Sequence, residues 1–445
     1  MSQPSVLKNI LTFQSVNFEI EQNVSSERLL HAVLLENSAD EAELWLAIAP
    51  LQRILDLNLI KQVLGVDVKL ATPEAQQRLS RSSRPLHAVG DTQTDIPTLI
   101  DSSIKSMRTV NILNNDDDSY LYLSERALLQ LASVSRCADI SVPIPELARD
   151  ARQRIRSIET FTSRRIKKRL DETLEIPPLP DSAQRIMKLR SNPYAEVEEL
   201  AAIIETDPAL SAQVVSWASS AFYAYPGTVG SVSDAIVRVL GFDLVMNLAL
   251  GLSLNRSMKK PDVDDLQLQH YWQQAIMTSA VVDALVKQMP TDLRPTGGLA
   301  SLSGIMHNFG YLVLAEVFLP QFQTVNEYIR VNPGVDPADI DHHVMGIDRE
   351  EIAAWLMKVW DMPEEICIAL RYQSKPNYDG IHAEYANLLY IATRLMRELG
   401  HYAGPKQPID AELFDKLGLD ENEARHNTLT ILSKSSELTN TAVGM

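Results

Sequence analysis

The chain has almost no cysteine. Only Cys137 and Cys367 occur in 445 residues, neither in a Cys-x-x-Cys spacing, which excludes a disulfide framework and a zinc knuckle. Long apolar runs are missing too. A spanning helix needs roughly 18 apolar residues, and the best stretch, Leu240–Leu254, is broken by Asp243, Asn247 and Gly251. The opening MSQPSVLKNILTF has no basic start followed by an apolar core and a small-residue cleavage site, so no secretory leader is expected. Basic charge is short: 41 lysines and arginines against 58 acids give a formal net charge of −17, a surface that repels nucleic acid as a whole. With 45% apolar and 22% charged residues, the composition is that of a soluble globular protein. A bacterial-type cytoplasm is the expected location, with no membrane association and no cofactor.

At roughly 150 residues per domain, the length points to two or three units. The first third alternates short apolar runs with turn residues. Leu29–Leu35 and Glu43–Ala49 read as strands, as do Val66–Leu70, Thr109–Leu113 and Tyr120–Leu123. Asp56–Leu64 has helical spacing and stops at Gly65. From Ser124 onward no strand is expected.

Pro143 and Pro145 precede a long helix with the stripe Ala148, Ala151, Ile155, Ile158, Thr162, Ile166 and Leu170. Nine basic residues fill its other faces: Arg149, Arg152, Arg154, Arg156, Arg164, Arg165, Lys167, Lys168 and Arg169. A solvated linker docked through its apolar stripe is the plainer reading. Binding of nucleic acid through the Arg149–Arg169 stripe, or pairing between subunits, is the alternative.

Beyond Ile176–Pro180 the chain reads as helical throughout. Asp207-Pro208 and Asp336-Pro337 place a capping carboxylate before a first-turn proline. Gly241 closes the helix of Val232–Leu240, and Asp361-Met362-Pro363 breaks Ile352–Trp360 from the next one. Six stretches follow in order: IPPLPDSAQRIMKL, ELAAIIETDPALSAQVVSWASSAFY, SVSDAIVRVLGFDLVMNLAL, YWQQA, GIMHNFGYLVL and GIDREEIAAWLMKVWDMPEEICIALRYQS. Together they resemble the HDOD domain, a helical relative of the HD metal phosphohydrolases.

That resemblance implies a lost metal site. The parent enzymes use imidazoles and a carboxylate to hold divalent ions that activate water and neutralise phosphate charge. At the matching positions this chain has Gln274 after Trp272, His307-Asn308 for the His-Asp pair, Arg349 after Gly346, and Gln373-Ser374 for the terminal histidines. One imidazole, His307, survives. A permanent cation such as Arg349 repels a metal. Gln274, His307, Asn308, Asp341 and Arg349 would instead line a ligand pocket, with Arg349 holding Asp341 or a ligand phosphate. His342-His343 cannot easily face one metal, because helix neighbours point about 100° apart, and His270, one turn before Gln274, could face the same pocket; all three are read as surface or structural histidines.

In the N-terminal third, LLHAVLL, ELWLAIAPLQRILDLNLIKQVLG, VKLATPEAQQRL and LIDSSI resemble the YbaK-type aminoacyl-tRNA deacylases. Those enzymes rely on a lysine in the first strand and a glycine-rich segment. Here His31 stands at the lysine position, and LSRSSRPLHAVG has only Gly90.

The expected architecture is an α+β multidomain chain. A mixed α/β domain over 1–135 leads through a basic helix over 136–172 to an all-α HD-like domain with a helical extension over 173–445. The expected function is a non-catalytic signal-transduction module that binds a protein partner, with a small-molecule or nucleotide ligand also open. The enzyme alternatives are a trans-editing aminoacyl-tRNA deacylase through the first domain and a metal-dependent phosphohydrolase through the second.

Overall fold

A computed structural model describes residues 6–21, 28–76, 96–114, 119–144, 180–219, 225–257 and 265–433. By contacts the chain forms two compact units, Met1–Ile155 with Thr324–Ile340, and Arg156–Gln323 with Asp341–Met445. The expected basic helix over Arg149–Arg169 and the segment Leu79–Gly90 lie outside the described residues.

The first unit is built on a mixed sheet in the order β1-β8-β7-β2-β3-β6-β9, with β5 also paired to β2. Its strands are β1 (Glu19–Glu21), β2 (Leu29–Asn37), β3 (Leu44–Pro50), β5 (Val68–Leu70), β6 (Thr98–Asp101), β7 (Val110–Asn114), β8 (Ser119–Leu123) and β9 (Arg136–Ala138). The central pair β2/β3 is antiparallel, and each partner gains a parallel neighbour outside it, β7 and β6. Both central strands are almost wholly buried, which explains their near-continuous apolar sequence. One face of the sheet is covered by α1 (Val6–Phe13) and by α3 (Glu125–Val134). Leu7, Ile10, Leu11, Leu128 and Leu131 pack there against Leu30, Leu34, Ile48 and Ile112. Between β4 (Arg53–Leu55) and β5, α2 (Leu57–Leu64) is capped by Asp56, which accepts from the Asn58 and Leu59 amides, and ends at Gly65.

Strand character does not end at Ser124. β9 pairs parallel with β6, and β10 (Ser141–Pro143) pairs antiparallel with β4. Asp101 fixes this return: its Oδ2 accepts from the Ile140 amide at 3.1 Å and from the Ser141 amide and hydroxyl, both at 2.8 Å. Those bonds, with those from Ser103, outweigh burial and hold its carboxyl below the usual range. The first unit therefore runs past residue 135, the boundary expected from sequence, at least to Pro143.

The second unit is helical. In order come α4 (Asp181–Arg190), α5 (Val197–Glu205), α6 (Pro208–Ala218), α7 (Phe242–Ser257), α8 (Asp265–Gln288), α9 (Gly297–Met306) and α10 (Phe309–Val317). After them come α11 (Leu319–Val331) and α12 (Pro337–Met345), which between them enter and leave the first-unit segment Thr324–Ile340, and then α13 (Arg349–Val359), α14 (Glu364–Tyr372), α15 (Ala383–Glu398), α16 (Ala411–Leu417) and α17 (Glu421–Ser433). A turn at Val232–Asp234 runs into a π-helix, Ala235–Leu240, before Gly241. Both Asp-Pro starts are as expected: Asp207 accepts from the Leu210 amide and Asp336 from the Ala338 amide. The long α8 packs on α9, α15 and α17, so it forms the spine that positions the site described next. No helix among the described residues is long and apolar enough to cross a membrane.

Candidate functional site

His307 ends α9, fully buried. Its Nδ1 lies 2.7 Å from the Gly304 carbonyl. A carbonyl only accepts, so Nδ1 carries the proton and Nε2 presents a lone pair. Burial lowers this imidazole to about 4, against the partial help of the Gly304 bond, so it is neutral near pH 7. In a metal site that lone pair would be the ligand. Here it meets the hydroxyl of Tyr402 at 2.7 Å. The two rings cross edge to face, 5.6 Å between centroids.

With Nε2 unprotonated, Tyr402 must be the donor. Its oxygen is 2.6 Å from Thr278 Oγ1, and Thr278 is also 2.7 Å from the Gln274 carbonyl, so the threonine proton is shared between two acceptors. Burial pushes the Tyr402 phenol upward, partly offset by Thr278, and it stays protonated. Tyr402 lies in the loop after α15. That loop is tied down by the Gln274 side chain, whose Nε2 donates to the His401 carbonyl at 2.9 Å. Gln373 Nε2 donates to the His307 carbonyl at 2.7 Å. Gln274 and Gln373, expected at former histidine positions, therefore hold backbone around His307.

Arg349 and Asp341 form a second set. The guanidinium meets the fully buried carboxylate through Nε–Oδ2 at 2.6 Å and Nη2–Oδ1 at 2.7 Å, and the Arg349 amide adds a bond at 3.2 Å. Burial pushes the Asp341 carboxyl up and Arg349 pulls it back. The arginine, raised by the same carboxylate against its own burial, stays charged. The two-pronged geometry requires the ionised acid. Gly310 backs onto Arg349 so closely that a Cβ would collide with the Arg349 carbonyl, and the Tyr311 ring lies 5.6 Å from the guanidinium. Ser374 donates to Glu350. Asn308 sits at the N-cap of α10 with no side-chain capping bond.

This donor set does not fit a metal. The surviving imidazole faces a phenol proton, and both oxygens of Asp341 are occupied by Arg349. Among the described residues no three His, Cys, Asp or Glu side chains converge as metal ligands. His342 and His343 are half-buried on α12. The side chain of His270 lies outside the described residues.

In the first unit His31 sits in β2, 1% exposed, opposite Ala49 and Leu113. Neither ring nitrogen has a hydrogen-bond partner at normal geometry. Burial lowers the imidazole to about 4, and the nearby Val331 backbone offsets only part of that. Val331 belongs to Thr324–Ile340, which joins this unit. Asn332 in that segment bridges Leu55, Oδ1 accepting from its amide at 2.7 Å and Nδ2 donating to its carbonyl at 3.1 Å. The Tyr328 hydroxyl donates to Asp56 at 2.9 Å. The strand position expected to carry editing chemistry is closed over.

Comparison with known proteins agrees with this architecture. Residues 176–376 match the HDOD domain and residues 13–131 the aminoacyl-tRNA editing domain. A provisionally assigned signal transduction protein of Marinobacter aquaeolei VT8 is 36% identical, with a TM-score of 0.81, over 98% of this chain and 99% of that one. The chain belongs to the HDOD proteins. Its HDOD part shares its fold with an HDOD domain protein of unknown function from Geobacter sulfurreducens, 18% identical, TM-score 0.52, over 66% of this chain and 98% of that one. An uncharacterised Treponema pallidum protein is 24% identical over 64% of this chain, and the match spans 54% of that protein's length. The HDOD and editing-type domains were both legible from sequence. Tyr402 was not: it lies beyond the HDOD match, and nothing in its local sequence marks it. Thr278 and Asn332 fall inside the match, but nothing in their local sequence marks them either.

Proposed function

We propose that this HDOD protein is a non-catalytic signal-transduction module, with its helical domain recognising a protein partner or a small ligand and its editing-type domain serving as a folded companion. One observation carries the reading: the lone pair of His307 Nε2, the last imidazole of the former metal set, accepts the Tyr402 hydroxyl proton at 2.7 Å. A proton stands where a hydrolase would need a cation. The neighbouring ligand positions are spent on backbone bonds from Gln274 and Gln373 and on the Arg349–Asp341 pair. The signal-transduction assignment of the Marinobacter relative supports the same reading. A deacylase reading gains no support, because a buried neutral imidazole brings no cation to an aminoacyl ester. The test is an assay of purified full-length protein on generic phosphodiesters with manganese, magnesium or zinc, beside affinity capture from its native cell. No turnover and recovery of a specific partner are expected. Metal-dependent turnover abolished by His307→Ala would refute the proposal.

A further inference from the structure

Tyr402 does more than fill space. Around its phenol the second unit presents one acceptor nitrogen, His307 Nε2, and one hydroxyl, Thr278 Oγ1, at 2.7 and 2.6 Å. The buried Tyr271 is close enough for Tyr402 to reinforce the upward push that burial gives its phenol. The thioether of Met396 lies 3.6 Å from the same Thr278 hydroxyl. No charged group takes part in these contacts. The cradle is matched to a flat neutral ring carrying one donor that also accepts.

The residue supplying that ring is on a short strap rather than on a helix. His401–Ala403 run between Gly400 and Gly404, whose φ values of +83° and +109° suit glycine and few other residues. Tyr402 as a residue is partly exposed although its phenol is buried, and the strap backbone is anchored by Gln274 at the His401 carbonyl and by the His401 amide on Met396.

We propose that Tyr402 is a displaceable internal ligand, covering a pocket for a small neutral aromatic molecule whose hydroxyl or amine donates to His307 Nε2 and accepts from Thr278. The proposal rests on the metal-free reading of this site and deepens it. When such a molecule enters, the strap releases, so occupancy is written on the surface at residues 400–404.

The test uses full-length protein, with p-cresol as probe and toluene as the same ring without the hydroxyl. Tyr402→Ala should bind one p-cresol per chain, with p-cresol preferred over toluene by about fivefold to tenfold, the value of roughly one hydrogen bond. Wild type should bind p-cresol more weakly, and saturating p-cresol should speed amide exchange at residues 400–405. If Tyr402→Ala does not fold, Tyr402→Phe carries the same test. It keeps the ring but loses both hydroxyl contacts, so strap exchange should rise and p-cresol should bind more tightly than to wild type. Equal affinity for toluene and p-cresol, no gain in either variant, or binding to wild type with unchanged strap exchange would overturn the proposal. Each of these outcomes leaves the metal test unaffected, so the two readings fail separately.

Discussion

Arg349 grips Asp341 through two parallel N–H···O bonds of 2.6 and 2.7 Å, and the carboxylate is wholly buried. Removing one partner strands a charge in a place water cannot reach. Arg349→Ala should therefore cost about 3–5 kcal/mol of unfolding free energy. Replacing both partners, Arg349→Met with Asp341→Leu, should recover most of that loss. Urea unfolding of the two variants checks the point. A mild single variant would show that the pair is dispensable.

Acid should destabilise the fold through the buried imidazoles of His31 and His307. His31 and His307 lie near 4 when folded, against about 6.5 in the unfolded chain. Between those values the unfolded chain binds a proton that the folded chain does not, so stability falls as pH drops from 6.5 towards 4. Each group contributes about 3 kcal/mol over the whole window at about 1.4 kcal/mol per unit. His31→Leu should remove one share of that slope. At pH 7 it should be neutral or stabilising, because it removes a buried ring whose nitrogens make no hydrogen bond of normal geometry. Unfolding curves at pH 7, 6 and 5 decide it, and an unchanged slope in His31→Leu would contradict the argument.

The central strands were legible because β2 and β3 are buried along nearly their whole length, leaving continuous apolar runs bounded by turn residues. The Asp-Pro and Asp56–Gly65 helix boundaries were legible because caps are local chemistry. β9 and β10 were not: Arg136–Ala138 and Ser141–Pro143 are three residues each, too short to show a period. The Arg349–Asp341 pair was foreseen as one option, since a cation at a former ligand position needs an anion. What sequence could not give was long-range placement. Nothing local tells that Asn332 reaches Leu55, or that Tyr402 reaches across 95 residues to His307.

Asn332 holds β4 by pairing both polar groups of Leu55 with one side chain. Asn332→Ala leaves a buried amide and carbonyl without that partner, at about 1–3 kcal/mol each. Hydrogen exchange should accelerate at Leu55, and proteolysis should increase in the β3–α2 region. Unchanged protection at Leu55 would show that the bridge carries no stability.

The editing-type domain should release no amino acid from mischarged tRNA above background. His31 is neutral and closed over, so it has neither the charge nor the access that an ester would need. Turnover lost on His31→Ala would show that this site opens in solution.

The most direct measurement is calorimetric titration of wild type, Asn308→Asp and Arg349→His with manganese. Both oxygens of Asp341 are already taken by Arg349, so a metal could recruit that carboxylate only by breaking a buried ion pair, at a cost of about 3–5 kcal/mol. Regaining one carboxylate leaves Gln274, Arg349 and Gln373 where imidazoles would be needed, and leaves Tyr402 on His307 Nε2. None of the three proteins should take up manganese tightly and stoichiometrically. Tight uptake by wild type would contradict the non-catalytic account, and uptake by Asn308→Asp alone would show that the ligand positions assigned here are wrong.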